Sequence, residues 1–289
     1  MQGRHLLSGR RPPWPCHSRF RGEPLRCRLT RDAGIAFLYV RFQVHMNSLE
    51  GQVAVVTGAG RRIGRAVALR LAVEGARIAL HYRRSKSEAE AVASEIVRRG
   101  GEAFCIQAEL SRVAEIDALF EKVEKRFGRL DILVNNAAIF SPTPLADTSE
   151  AQWDAILDTN LKAQFFCAQR AATLLKKSGR GRIINFASLG GLKAWPKYTA
   201  YSVSKAGVIM LTRCLARALA PDVTVNAIAP GTISFAEDAP EIAELAIRSA
   251  PLRRTGSADD VAESVVYLVG ARFVTGQVLV IDGGASIPS

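Results

Sequence analysis

Long apolar runs are missing from this 289-residue chain. No segment approaches the ~18–20 consecutive apolar residues that a membrane-crossing helix needs. The longest early candidate, residues 34–40, is flanked by Arg31 and Arg41 and lies too far from the N-terminus for a secretory leader. Cysteines are few and scattered: Cys16, Cys27, Cys105, Cys167 and Cys214 form no CxxC pair. That excludes a disulfide framework or a structural zinc site and fits a reducing, cytoplasmic setting. The four histidines, His5, His17, His45 and His81, make neither an HxH nor an HxxxH pair, so no metal site is expected.

What remains is the composition of a soluble globular protein, 48% apolar and 23% charged, long enough for one large α/β domain plus an extension. The net charge of +12 raises the question of nucleic acid, but its location answers it. Residues 1–45 hold nine arginines, no lysine and only two acids, Glu23 and Asp32, whereas the rest has no dense basic run. No nucleic-acid partner is expected. Residues 1–48 are rich in Arg and Pro and keep neither helical nor strand periodicity. They are expected to lie outside the fold, as a disordered extension or as translated upstream sequence with Met46 the true start. A transit peptide is the competing reading. The folded domain is expected over residues 49–289.

From Val53 onward, short Val/Ile/Leu-rich runs alternate with longer amphipathic ones. The strand candidates are 53–57, 77–82, 103–107, 130–135, 182–187, 223–229 and 277–281. Between them lie helical stretches at 63–74, 88–99, 113–127, 153–176, 201–220 and 258–269. Strand–helix alternation with continuously apolar strands predicts a three-layer Rossmann-type α/β fold, a doubly wound parallel sheet of about seven strands.

The first strand runs into Thr57-Gly58-Ala59-Gly60-Arg61-Arg62-Ile63-Gly64 and then a helix. Glycines let the backbone turn sharply against a pyrophosphate, and the helix N-terminus offers open N–H groups. The position of this turn, in the first strand–helix–strand unit, makes it a dinucleotide site. The second strand ends in His81-Tyr82-Arg83-Arg84-Ser85. An NAD-specific site places an acid there to accept from the ribose 2′-hydroxyl; two guanidinium groups instead suit a 2′-phosphate, so the expected cofactor is NADPH/NADP+.

Further along, Tyr201 and Lys205 stand four residues apart on one helical face. Reducing a C=O or C=N bond with hydride leaves a charge that needs a proton, and Tyr201 is the expected general acid. A phenol ordinarily titrates near ~10, and a neighbouring ammonium together with the cationic nicotinamide of the oxidised cofactor is expected to lower that value. Ser188 follows an apolar strand, at the carboxyl edge where ligands of such sheets bind, and its hydroxyl can orient the substrate oxygen.

Together with Asn135-Asn136-Ala137, Asn160, Pro230-Gly231 and the terminal Asp282-Gly283-Gly284, these residues resemble the short-chain dehydrogenase/reductase family over about residues 49–286. The resemblance implies a catalytic set of Ser188, Tyr201, Lys205 and Asn160. In it Lys205 holds the nicotinamide ribose and Asn160 holds a water that links Lys205 to solvent. It implies cofactor contacts from Gly58, Gly60, Arg61, Arg62, Ile63, Gly64, Tyr82, Arg83, Arg84, Ser85, Glu109, Leu110, Asn136, Ala137, Tyr201, Lys205, Pro230 and Gly231. It also implies a homotetramer acting on a small molecule. Three departures stand out: Arg62 replaces the middle glycine of the turn, Ala138 replaces a glycine, and Glu109 stands for the acid that holds the adenine amino group.

Within the family, Arg61-Arg62-Ile63-Gly64, His81-Tyr82-Arg83-Arg84-Ser85 and Phe140-Ser141-Pro142-Thr143-Pro144-Leu145 are similar to pteridine reductases, where the residue matching Phe140 stacks on a pterin. Those enzymes carry Asp where this chain has Ser188, the residue of 3-oxoacyl-[acyl-carrier-protein] reductases. The leading expectation is a pteridine-reductase-like NADPH-dependent reductase with Phe140, Ser188 and Tyr201 on the substrate. The alternatives are a 3-oxoacyl-[acyl-carrier-protein] or broad carbonyl reductase, and a non-catalytic NADPH-binding regulator. Trp195 stands open between lining the pocket and packing, and residues 232–250 are expected to close over substrate.

Overall fold

The computed structural model describes residues 49–287, so the expectations for the extension and for Met46 lie outside the described residues. Seven strands form one parallel sheet in the order β3-β2-β1-β4-β5-β6-β7. They are β1 (Val53–Val56), β2 (Arg77–Tyr82), β3 (Ala103–Gln107), β4 (Ile132–Asn135), β5 (Gly181–Phe186), β6 (Val223–Pro230) and β7 (Val278–Ile281). The helices between them are α1 (Arg62–Val73), α2 (Lys86–Arg98), α3 (Val113–Phe127), α4 (Glu150–Leu157), α5 (Ala163–Lys177), α6 (Thr199–Leu219), α7 (Pro240–Ser249) and α8 (Ala258–Gly270).

Strand periodicity assigns the two cores. Val53 and Val55 of β1 point into one layer, with Ile116 and Leu119 of α3, Cys167 of α5 and Leu215 of α6. Ala54 and Val56 point into the other, with Val67 and Leu71 of α1, Val92 and Ile96 of α2, and Val261 and Val265 of α8. Both faces of the strands are covered, which is why they read as unbroken apolar runs rather than as alternating ones. No helix among the described residues is long and apolar enough to cross a membrane.

The expected helix over 153–176 is interrupted. It starts earlier, at Glu150, where Ser149 and Gln152 form a reciprocal capping box, and then passes through a π turn at Asp158–Lys162 before α5. In that turn the Ala163 N–H reaches back five residues to the Asp158 carbonyl. The segment 232–250, expected as a closing loop, contains α7, opened by Pro240 at its first turn.

Candidate functional site

The β1–α1 turn, Tyr82 to Ser85, Glu109, Asn136, Ala137, Ser188, Pro230 and Gly231 lie at or just beyond the carboxyl ends of the strands, while Asn160 lies in the π turn and Tyr201 and Lys205 on α6. The break in strand order falls between β1 and β4, and it opens the crevice where such sheets take ligands.

The β1–α1 turn is tightly specified. A Cβ on Gly64 would lie 2.1 Å from the Gly58 carbonyl oxygen, so only glycine lets α1 start this close to the strand. Thr57 Oγ1 accepts from Asn136 N and Ala137 N at 2.9 and 3.0 Å, and Asn136 Nδ2 donates to Thr57 O at 2.8 Å. Asn136 and Ala137, expected at the cofactor, thus spend these groups on bracing the turn. At the mouth, Arg61 caps α1 without a side-chain hydrogen bond, leaving the first-turn N–H groups of Arg62, Ile63 and Gly64 pointing outward. Gly60 abuts Ser85, whose hydroxyl would lie 2.9 Å from an added Cβ.

Arg62 occupies a left-handed backbone position, φ 51°, where the family glycine would be unstrained. Its guanidinium grips Asp238 with two hydrogen bonds of 2.8 and 3.1 Å, reaches Glu237 at 3.1 Å and stacks over the Phe235 ring at 4.0 Å. The segment leading into α7 is therefore tied to the phosphate turn. Sequence separation of more than 170 residues hid this pairing.

At the β2 tip, Tyr82 is buried and Arg83 is ion-paired with Glu109. Arg84 is exposed, and its side chain has no hydrogen bond or ion pair among the described residues. Leu110, expected at the cofactor, has its side chain buried in the core beside α3. Pro230 ends β6, and Gly231 donates its N–H to Ile281 O at 2.9 Å.

Ser188, Tyr201 and Lys205 come together between β5 and α6. The Ser188 hydroxyl accepts from Gly190 N at 3.1 Å and interacts with the Tyr201 phenol. Lys205 is 2% exposed; its Nζ donates to Phe186 O at 2.7 Å and sits 5.6 Å from the centre of the Tyr201 ring. Burial pushes its ammonium down to about 7. Burial likewise pushes the Tyr201 phenol up, with the Ser188 contact pulling the other way. Of the two influences on the phenol, desolvation is the larger.

Asn160 lies in the π turn and is fully buried. Its Oδ1 accepts from Ile139 N at 2.7 Å, and Nδ2 donates to Ile139 O at 2.9 Å and to Ser204 Oγ at 3.2 Å. The side chain holds the loop after β4 against α6.

Above the phenol is an aromatic corner that sequence reasoning only partly identified. Phe140 lies flat on Tyr198, centroids 4.4 Å apart, and meets Tyr201 edge-on at 4.8 Å. The Trp195 ring is parallel to that of Tyr201 at 6.3 Å and rests on Gly190, so Trp195 belongs to the site wall. Tyr198 went unnoticed, although its place three residues before Tyr201 was the available signal.

The family model described as enoyl-(acyl carrier protein) reductase matches residues 58–286. A 3-oxoacyl-[acyl-carrier-protein] reductase of Synechocystis sp. is 40% identical over 243 residues, covering 83% of this chain and 98% of that protein. Among solved structures, a short-chain dehydrogenase from Burkholderia cenocepacia in complex with NADP superposes with a TM-score of 0.77 at 37% identity, covering 83% of this chain and 99% of the other. A blue fluorescent protein from a metagenomic library in complex with NADPH gives 0.78 at 35%, covering 82% and 99%. The chain belongs to the short-chain dehydrogenase/reductase family of oxidoreductases.

Proposed function

We propose that the protein is an NADPH-dependent reductase of 3-oxoacyl thioesters, in which Ser188, Tyr201 and Lys205 act on the keto group. The observation that carries this reading is a hydroxyl, Ser188, beside the Tyr201 phenol, in a chain 40% identical to a 3-oxoacyl-[acyl-carrier-protein] reductase.

NADPH fits the residues present. The N–H groups of the first turn of α1, which have no partner within the helix, would receive a pyrophosphate, and Gly64 lets that turn sit close against Gly58. Arg84 stands exposed and unpaired, with Arg83 beside it, where a 2′-phosphate would be received. Bound NADPH supplies hydride to the carbonyl carbon. Ser188 donates to the carbonyl oxygen and fixes its direction, and Tyr201 delivers a proton to the same oxygen as charge develops there. Lys205, which burial brings down to about 7, would resupply that proton and, as in the family, would hold the ribose. By family analogy we place the enzyme in the cytoplasm as a homotetramer, with α3, α4 and α5 in subunit contacts; light scattering that returned a monomer would overturn the oligomer.

A second reading, reduction of a flat heterocycle of the pterin type, is favoured by the Phe140–Tyr198 stack. The deciding experiment follows NADPH oxidation with acetoacetyl thioester and with a dihydropteridine side by side. Faster turnover of the thioester supports the proposal. Preference for the pterin would mean that the aromatic corner, not Ser188, selects the substrate.

A further inference from the structure

His81 is the one histidine among the described residues, and nothing in the proton chemistry above uses it. It is 2% exposed at the tip of β2, between the phosphate turn and the end of β3. The Gly58 backbone N–H donates to its Nδ1 at 3.1 Å, and its Nε2 lies 3.0 Å from Ala108 O. A backbone N–H can only donate and a carbonyl can only accept. The ring is therefore held as the neutral tautomer with its proton on Nε2. Either other form would set N–H against N–H or a lone pair against a carbonyl.

The backbone repeats the same connection. His81 O accepts from Ala59 N at 2.9 Å, and Tyr82 O accepts from Ala108 N at 3.1 Å. One imidazole thus spans three strand tips that carry different parts of the candidate cofactor site. These are the Gly58–Gly64 turn, the Arg83–Arg84 pair that His81 precedes with Tyr82 between, and Glu109 beside Ala108. The distance between the pyrophosphate cradle and the arginines must match the distance between two phosphates of one ligand, and among the described residues no other side chain joins the Gly58 turn to the end of β3 by hydrogen bonds at both ends.

We infer that His81 is a positioning residue that sets the spacing between the phosphate turn and the 2′-phosphate site, and so determines affinity for a phosphorylated dinucleotide. This rests on the NADPH reading, not on the identity of the carbonyl substrate. Burial keeps the ring neutral, pushing it down to about 4, so the arrangement persists across the physiological range.

The test compares His81→Asn, His81→Gln and His81→Leu by direct titration of NADPH and NADH, following nucleotide fluorescence without carbonyl substrate. Asn places an acceptor near Nδ1, for Gly58; Gln reaches only toward Ala108. An orphaned buried donor at Gly58 corresponds to about a tenfold loss of affinity. The expected result is that loss for NADPH in His81→Gln and His81→Leu, recovery toward the native value in His81→Asn, and a carbonyl KM at saturating NADPH that does not move. If Leu fails to fold, the Asn–Gln contrast carries the test alone. Equal NADPH affinities in Asn and Gln, or a parallel change in the carbonyl KM, would overturn the inference. Normal NADPH binding without turnover of any thioester would instead count against the proposed substrate and leave His81 in place.

Discussion

At the β2–β3 end of the site, charge is handled in water. Arg83 pairs with Glu109 there, Arg62 of the neighbouring β1–α1 turn pairs with Asp238, and both arginine side chains remain 45% exposed. At the β5–α6 end it is handled in the interior, where Lys205 and Asn160 are buried and their polar atoms are committed at 2.7–3.2 Å. Exposed pairs contribute little and exchange partners easily, so they suit a region that must release its acids to receive phosphates. Buried groups cannot be left unpaired without a large cost, so they suit a region whose geometry must not change between turnovers.

The largest effect should come from the interior. Tyr201→Phe removes the proposed proton donor and is expected to lower kcat by about 10²–10⁴-fold while NADPH affinity stays put; steady-state kinetics with a fluorescence titration decide it, and a matching loss of NADPH affinity would move Tyr201 into the binding role.

Next comes pH. His81 titrates near 6.5 when unfolded and about 4 when folded, so its contribution is complete above 6.5 and is lost as pH falls toward 4. That loss amounts to about 3 kcal/mol. Urea melts at neutral and acid pH should show a shallower acid decline in His81→Asn than in the native protein; equal slopes would remove His81 from the account.

At the exposed end the expected changes are smaller. Arg84→Ala should weaken NADPH by about tenfold, as loss of a charge-assisted hydrogen bond does, and leave NADH nearly unaffected. Equal weakening of both nucleotides would place the 2′-phosphate elsewhere. Smallest of all, Asp238→Asn should change stability by no more than ~1 kcal/mol. A thermal shift well beyond that would show that the exposed and buried regions are not as different as their solvation implies.

The sequence carried the parts of this arrangement that are local. The turn from Gly58 to Gly64, the Tyr201–Lys205 spacing and the apolar strands are each read from a few consecutive residues, because backbone geometry fixes them. Contacts between distant segments were not legible. Nothing near Arg62 points to Asp238, nothing near His81 points to Ala108, and Asn160 gives no sign that its amide clamps Ile139. Residues 153–176 read as one helix because nothing in their residue types marks the π turn between α4 and α5.

The π turn at Asp158–Lys162 has a consequence for how the protein can be altered. A five-residue step inside a four-residue ladder is one residue more than a regular helix would hold. Deleting one residue from this turn would let α4 run straight into α5 with the buried faces of both still in register, so the scaffold should survive the loss. Asn160, or whatever then filled its place, would no longer face Ile139. In this one turn, then, the helix can be shortened without being broken, and the extra residue serves the site rather than the fold.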